Sequence, residues 1–183
     1  MKDQGQEQEQ KYPIVKLQGV RLSYPHLFEL YKYDEKSKPE YSAQFILSKT
    51  GHAETLKQIR AMYADMVSKA KCKVLDAYEV CLRDGAKKAD KKGYGPDTMF
   101  IKAKADKKFK LADITGQPVL EDNGKFYAGC YVNAIISFWL QDNSWGKRIN
   151  CRLLGVQFLR DGEPLGSEDM DVSSMFVDES DML

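Results

Sequence analysis

The chain has 183 residues, 43% hydrophobic, 30% charged and 11% aromatic, values that suit one well-packed domain with polar ends to spare. Its 28 Lys and Arg nearly balance its 27 Asp and Glu, for a net charge of +1. No apolar run reaches the length of a membrane span, the longest being Ala134 to Leu140, and the first residues lack the apolar stretch of a secretion signal, so no membrane partner is expected.

In chain order, residues 1–12 read as a disordered polar leader. Ile14 to Ser23 reads as a strand, with a bulge at Gly19 where the alternation changes phase. Tyr24-Pro25 is expected to break it, and His26 to Tyr33 to continue as a short turn or second strand. Tyr41 to Leu47 alternates as a half-buried strand. Over residues 53 to about 70 the period changes. Leu56, Ile59, Met62, Tyr63, Met66 and Val67 recur at three and four, which predicts an amphipathic helix. Thr50 or His52 lies near its start, and Lys69-Ala70-Lys71 closes it with positive charge, as the helix dipole favours. Val74 to Leu82 carries a weaker pattern, and Arg83 to Gly95 reads as a loop rich in Gly and Lys. Four strands follow: Met99 to Ala105, Phe109 to Asp113, Gly129 to Gln141 and Lys147 to Leu159. Gly116-Gln117-Pro118, Asp122-Asn123-Gly124, Asp142-Asn143-Ser144 and Arg160 to Pro164 mark turns between and after them. No internal repeat is present.

This order predicts a mainly β fold: an OB-fold-like antiparallel barrel of five to six strands with one long inserted helix. Another small barrel or an open α+β sheet fits the same pattern.

Charge is unevenly placed. Residues 167–183 hold six acids and no base, which leaves 28 bases against 21 acids over residues 1–166. Between Arg83 and Lys110 alone there are ten bases and four acids. A basic body with an acidic end suggests a protein that binds a polyanion and carries a peptide able to compete for the same groove. Apolar Met175, Phe176, Val177, Met182 and Leu183 lie among the acids Asp178, Glu179 and Asp181, the pattern of a segment that docks on a partner. A plain disordered terminus is the alternative.

The strand faces sharpen the expectation. In Met99–Ala105, one face holds Met99, Ile101, Ala103 and Ala105, the other Phe100, Lys102 and Lys104. A strand that lays nucleotides across itself wants that second mixture, because bases stack on the ring and lysines meet phosphates. In Cys130–Leu140 the less apolar face holds Tyr131, Asn133, Ile135, Ser137 and Trp139, and the next strand alternates Arg148, Asn150 and Arg152 with apolar residues. Pairing through the Asp142–Gly146 turn would set Trp139, Tyr131, Arg148 and Arg152 on one outer face, where Arg can bind phosphate or stack on a base. The candidate stacking residues are therefore Phe100, Trp139, Tyr131 and the loop residue Tyr94. The candidate phosphate ligands are Arg83, Lys87, Lys88, Lys91, Lys92, Lys102, Lys104, Arg148 and Arg152. Each ring has a competing reading as packing or, for Tyr94, as a loop anchor. The lysine loop has one as a solvated surface.

Catalytic readings fare poorly. The chain has no GxxxxGK[ST], HExxH or GxSxG motif, and only two histidines, His26 and His52. Its four cysteines, Cys72, Cys81, Cys130 and Cys151, form no CxxC pair, so no metal or other cofactor is expected. Cys130 and Cys151 fall in strands as small core residues, and a reduced, cytoplasmic setting is the default. The alternatives are a metal-dependent nuclease or other DNA-processing enzyme using dispersed acids such as Asp84, Asp97 and Asp113, an adaptor for other proteins, and an RNA-binding protein.

Four segments also resemble phage-encoded single-stranded DNA-binding proteins: Val20 to Phe28, Leu82 to Gly85, Phe126 to Ala134, and Gly155 to Gly166. The likeness runs from about residue 14 to 166, and the acidic tail is of the same type. It implies an OB barrel that coats single-stranded DNA in phage replication or recombination inside a bacterial cell, and a tail that recruits replication or recombination proteins. It carries over no contact residues. The expected organisation is a leader over 1–12, a nucleic-acid-binding domain over 13–166 and an acidic tail over 167–183. A homodimer is left open.

Overall fold

The computed structural model describes residues 12–71, 80–144, 146–166 and Phe176. Among the described residues seven strands and one α-helix follow in order: β1 (Ile14–Tyr31), β2 (Glu40–Ser48), α1 (Ala53–Lys69), β3 (Leu82–Asp84), β4 (Thr98–Ala105), β5 (Lys110–Ala112), β6 (Tyr131–Asn143) and β7 (Gly146–Arg160). The sheet order is β3-β4-β2-β1-β6-β7-β5, and β4 also pairs with β7. That extra pairing closes β1, β2, β4, β7 and β6 into a five-stranded barrel, with β3 and β5 as flanking strips. The barrel is not wholly antiparallel as expected. It closes on a parallel contact, Lys104 opposite Arg152, and β5 also lies parallel to β7.

Alternation explains most of the wall. Val132, Ala134, Ile136 and Phe138 of β6, and Met99, Ile101, Ala103 and Ala105 of β4, point inward and are buried. With Phe45, Leu17 and Leu22 they form one continuous core, which includes Cys130 and Cys151. Each large side chain so buried contributes about 1.5–3 kcal/mol. Helix α1 ends one residue before the predicted limit. It packs Leu56 and Ile59 into the core, and Tyr63 meets Phe138 edge-on at 5.1 Å. His52 precedes the helix but does not cap it with its ring. Its Nδ1 accepts the Ser48 N–H at 2.9 Å and its Nε2 meets the Gln18 carbonyl at 2.9 Å, which ties the start of α1 to β1 and β2.

β1 is one strand of 18 residues where a break was expected. Gly19 is the predicted bulge: its φ is +60°, pairing slips between Leu17 and Val20, and its N–H donates to Asn133 Oδ1 at 3.0 Å. A second slip falls between Ser23 and His26, so Pro25 occupies an irregular position where its missing N–H costs no ladder bond. Tyr24 absorbs the turn with a φ of +46°. Residues 72–79, most of the weakly patterned segment, lie outside the described residues. Val80 beyond them bridges Ile149, and Leu82 opens β3. Among the described residues no helix is long and apolar enough to cross a membrane.

Candidate nucleic-acid interface

The outward faces of β2, β4, β6 and β7 meet around a groove of about 1210 Å³. Register sets its floor. Gln44 stands opposite Lys102 and Ser42 opposite Lys104, while Trp139 stands opposite Asn150 and Gln141 opposite Arg148. Barrel closure then brings Lys104 beside Arg152. Arg83 enters from β3, opposite Phe100. The rim comes from β1 and the turn after it: Tyr24, His26, Tyr31 and Tyr33 all line the groove. Of the thirteen candidate contact residues, Arg83, Lys88, Phe100, Lys102, Lys104, Trp139, Arg148 and Arg152 fall in this lining.

The groove concentrates like charge. Among the described residues seven bases line it, the seventh being Lys38, against the acids Glu40 and Asp106. Those acids pair with Lys104 at 3.3 Å and Lys38 at 3.5 Å. Burial, then the charges of Lys104, Lys88 and Arg83, hold the Lys102 ammonium below its ordinary value, with Glu40 partly offsetting them. Burial, then Arg83 and Lys91, do the same to Lys88. The His26 imidazole is lowered by burial and by Lys102. For Lys102 and Lys88 the second cause is crowding by other cations, a local excess of positive charge that favours taking up an anion.

Exposed aromatic side chains complete the site. Tyr24, Tyr31 and Tyr33 are 48%, 45% and 80% exposed, and His26 stacks on Tyr31 with centroids 4.0 Å apart and planes 9° from parallel. Asn150 Nδ2 donates to Gln141 Oε1 at 2.9 Å beside Trp139, so amide groups flank the indole.

Three expected stacking residues are placed otherwise. Phe100 lies on the predicted face but is only 4% exposed, because the chain after β3 folds back over it. Tyr94 meets Phe100 edge-on at 5.3 Å, and Lys88 Nζ lies 4.7 Å from its centroid. Phe100, Tyr94 and Ile46 thus form a second small core, with Leu165 against it. Tyr94, 8% exposed, is the loop's anchor: its hydroxyl lies 2.6 Å from Gln44 Oε1 and 2.9 Å from Ser23 Oγ. Tyr131 stays outside the groove. The Arg160 guanidinium lies 4.1 Å and that of Arg21 5.8 Å from its ring centroid, and Gly162 packs against its edge.

The expected Arg83–Gly95 loop is more ordered than its composition suggests. After β3, a 3₁₀ turn spans Gly85–Lys88, capped by the Asp84 carboxylate, which accepts the Ala86 N–H at 2.9 Å. The same carboxylate takes two bonds from Lys49 at 3.0 and 3.1 Å. Lys92 is held by Glu163 at 2.9 Å, and Lys87, Lys91 and Lys92 lie outside the groove lining. Among the described residues no three His, Cys, Asp or Glu gather as metal ligands, so Asp84, Asp97 and Asp113 form no such site. Of the tail, only Phe176 is described, and it is 79% exposed. Met175, Val177, Asp178, Glu179, Asp181, Met182 and Leu183 lie outside the described residues.

Tyr94→Phe isolates the anchor. It keeps the ring and removes the hydroxyl, so the expected cost is about 1 kcal/mol and a melting temperature a few degrees lower. A thermal melt unchanged from the parent protein would make the hydroxyl's contacts energetically idle.

The comparisons with known proteins came out consistently. Residues 13–182 match the family described as Enterobacter phage Enc34, ssDNA-binding protein. Protein p50 of Acyrthosiphon pisum secondary endosymbiont phage 1 is 31% identical over 159 residues, covering 81% of this chain and 84% of that protein. The single-stranded DNA-binding protein of bacteriophage Enc34, solved in complex with ssDNA, superposes with a TM-score of 0.74 at 26% identity, over 84% of this chain and 89% of the other. The single-stranded DNA-binding protein gp2.5 of bacteriophage T7 gives a TM-score of 0.58 at 13% identity, over 92% and 97% of the two chains, a likeness of fold alone.

Proposed function

Because this chain belongs to the family of the Enterobacter phage Enc34 ssDNA-binding protein, we propose that it binds single-stranded DNA in the groove between β4 and β7, without catalysis and with little sequence preference. One observation carries the reading: a groove that gathers Arg83, Lys88, Lys102, Lys104, Arg148 and Arg152 beside the rings of Tyr24, Tyr31, Tyr33 and Trp139. Bases stack on the rings and phosphates meet the cations, and neither contact distinguishes one base from another. Trp139 and the three tyrosines take the stacking role, while Phe100 and Tyr94 support the floor beneath Lys88. In the cell, the protein coats exposed strands during phage replication or recombination in the host cytoplasm.

The test is intrinsic tryptophan fluorescence titrated with oligo-dT at low and high salt. The expected result is quenching that salt reverses and that Trp139→Phe largely removes. No quenching and no gel shift at low salt would overturn the function.

Residues 167–183, with their six acids and embedded Met175, Phe176 and Val177, act in this reading as a weak occupant of the basic groove and a docking peptide for replication or recombination proteins. Deleting them should tighten oligo-dT binding several-fold at low salt and much less at high salt, where screening has already weakened the tail. Equal affinities with and without the tail at low salt would dismiss the competition.

A further inference from the structure

Two thiols meet in the groove wall, and neither stacking nor phosphate binding uses them. Cys81 stands two residues before Arg83 and is half-buried, while Cys151 lies on β7 between Asn150 and Arg152 and is buried. Both are free, both line the groove, and they hydrogen-bond each other. Tyr63 of α1 sets its hydroxyl 3.0 Å from Cys81 Sγ. Beside them, among the described residues, the backbone before β3 meets β7 at one isolated bridge, Val80 to Ile149.

The third described cysteine marks the contrast. Cys130 sits in the core, and burial pushes its thiol up to about 11. Burial acts against the Cys81 thiolate too, yet hydrogen bonds with Cys151 and Tyr63 and the nearby charge of Arg83 outweigh it, and Cys81 falls below the ordinary thiol value. A partly exposed thiol in an electropositive setting is the reactive kind, and a second thiol in contact can resolve its first oxidation product.

We propose that Cys81 and Cys151 form a redox pair whose oxidation to a disulfide weakens the groove's hold on a single strand. The pair rests on the placing of both thiols in one groove wall beside the Val80–Ile149 bridge, and its effect on affinity rests on the function proposed above. The oxidant class is a peroxide. The Cys81 thiolate attacks one peroxide oxygen, an S–O bond forms, the O–O bond breaks and hydroxide leaves, so Cys81 becomes a sulfenic acid. The Cys151 sulfur then attacks Cys81 Sγ. The S–S bond forms, the S–O bond breaks, and the Cys151 proton leaves with the hydroxyl as water. Two electrons pass from the thiols to the peroxide, and a dithiol reductant returns them. While reduced, the segment just before Arg83 meets β7 directly through one isolated backbone bridge among the described residues, and it can adjust beside a bound strand. A covalent link fixes their spacing.

The test treats the full chain with hydrogen peroxide, maps its disulfides by mass spectrometry, and measures oligo-dT affinity before and after. The expected product is a Cys81–Cys151 linked peptide, with Kd raised about tenfold and restored by dithiothreitol. Cys81→Ser and Cys151→Ser proteins should each keep their affinity through the same treatment. Finding Cys81 and Cys151 still reduced while Cys130 or Cys72 is oxidised would overturn the pair. A mapped disulfide with unchanged Kd would overturn its effect on binding. Reduced protein that fails to bind oligo-dT would overturn the function and the affinity arm with it, while the mapped disulfide still decides the pair.

Discussion

Reversing both β7 arginines, Arg148→Glu with Arg152→Glu, should weaken oligo-dT binding by about two orders of magnitude at low salt. Both side chains are exposed and line the groove, and neither has an acid within ion-pair distance among the described residues. Their loss removes two phosphate contacts, and the new carboxylates repel the strand. The logarithmic salt dependence of binding should flatten by about 1.4, since each phosphate contact with a single strand contributes about 0.7. The fold should not suffer. Arg152 sits opposite Lys104 at the barrel closure, so a glutamate there relieves a like-charge contact. The melting temperature of the double variant should therefore hold or rise. Unchanged affinity with an intact fold would move the DNA path off β7.

The largest effect on stability is expected at Gly129. Its φ is +114°, and a Cβ there would lie 2.1 Å from the Glu163 carbonyl oxygen and 2.9 Å from the Pro164 Cα. The backbone cannot yield easily. Gly129 N–H donates to the Leu22 carbonyl at 2.8 Å, and Leu165 N–H to that of Ala128 at 2.9 Å. The Arg21 guanidinium also binds the Gly129 carbonyl at 3.2 Å and the Glu163 carbonyl at 2.5 Å. Gly162 presses on the same point from the other side, where its own Cβ would meet the Gly129 carbonyl at 2.1 Å. Gly129→Ala combines backbone strain with a clash against a braced main chain, for an expected loss of about 3–5 kcal/mol and about 10 °C in melting temperature. A thermal melt within about two degrees of the parent would mean that this crossing is far softer than its bonds suggest.

That crossing explains what the sequence likeness was reporting. Arg21 and Leu22, Ala128 to Cys130, and Glu163 to Leu165 belong to three of the four recognisable segments, and they converge here. Tyr127 adds to it, its hydroxyl donating to the Asp161 carboxylate at 2.9 Å and accepting the Gly162 N–H at 3.1 Å. None of Arg21, Tyr127, Gly129, Tyr131 or Gly162 lines the groove. Much of the resemblance was therefore carried by scaffold. Period made α1, β4 and β6 legible within two residues at each end, because each buries one regular face. Three-residue β3 was not legible, since Leu82–Asp84 carries no period and is a strand only by its register with β4. The cations of β4 and β7 could be read from alternation and charge. The rings could not be read so well, because alternation says which way a side chain points and not what later folds over it. Phe100 faces outward and is covered by Tyr94 and Lys88. Tyr24, His26, Tyr31 and Tyr33 escape such a reading because Tyr24-Pro25 predicts an end to the strand, whereas the second bulge carries β1 onward. Their signals are the ten tyrosines of the chain and the place of Tyr24 and His26 within the likeness segment Val20 to Phe28.

The crowding of cations along the groove also bears on how long each molecule lasts. Same-sign charges held at close quarters work against the empty fold, and a strand that neutralises them removes that penalty. At one hundred times its Kd a ligand adds about 2.7 kcal/mol to folding stability. On the proposed function, a molecule seated on oligo-dT should therefore open less often, and resist an added protease longer, than an empty one.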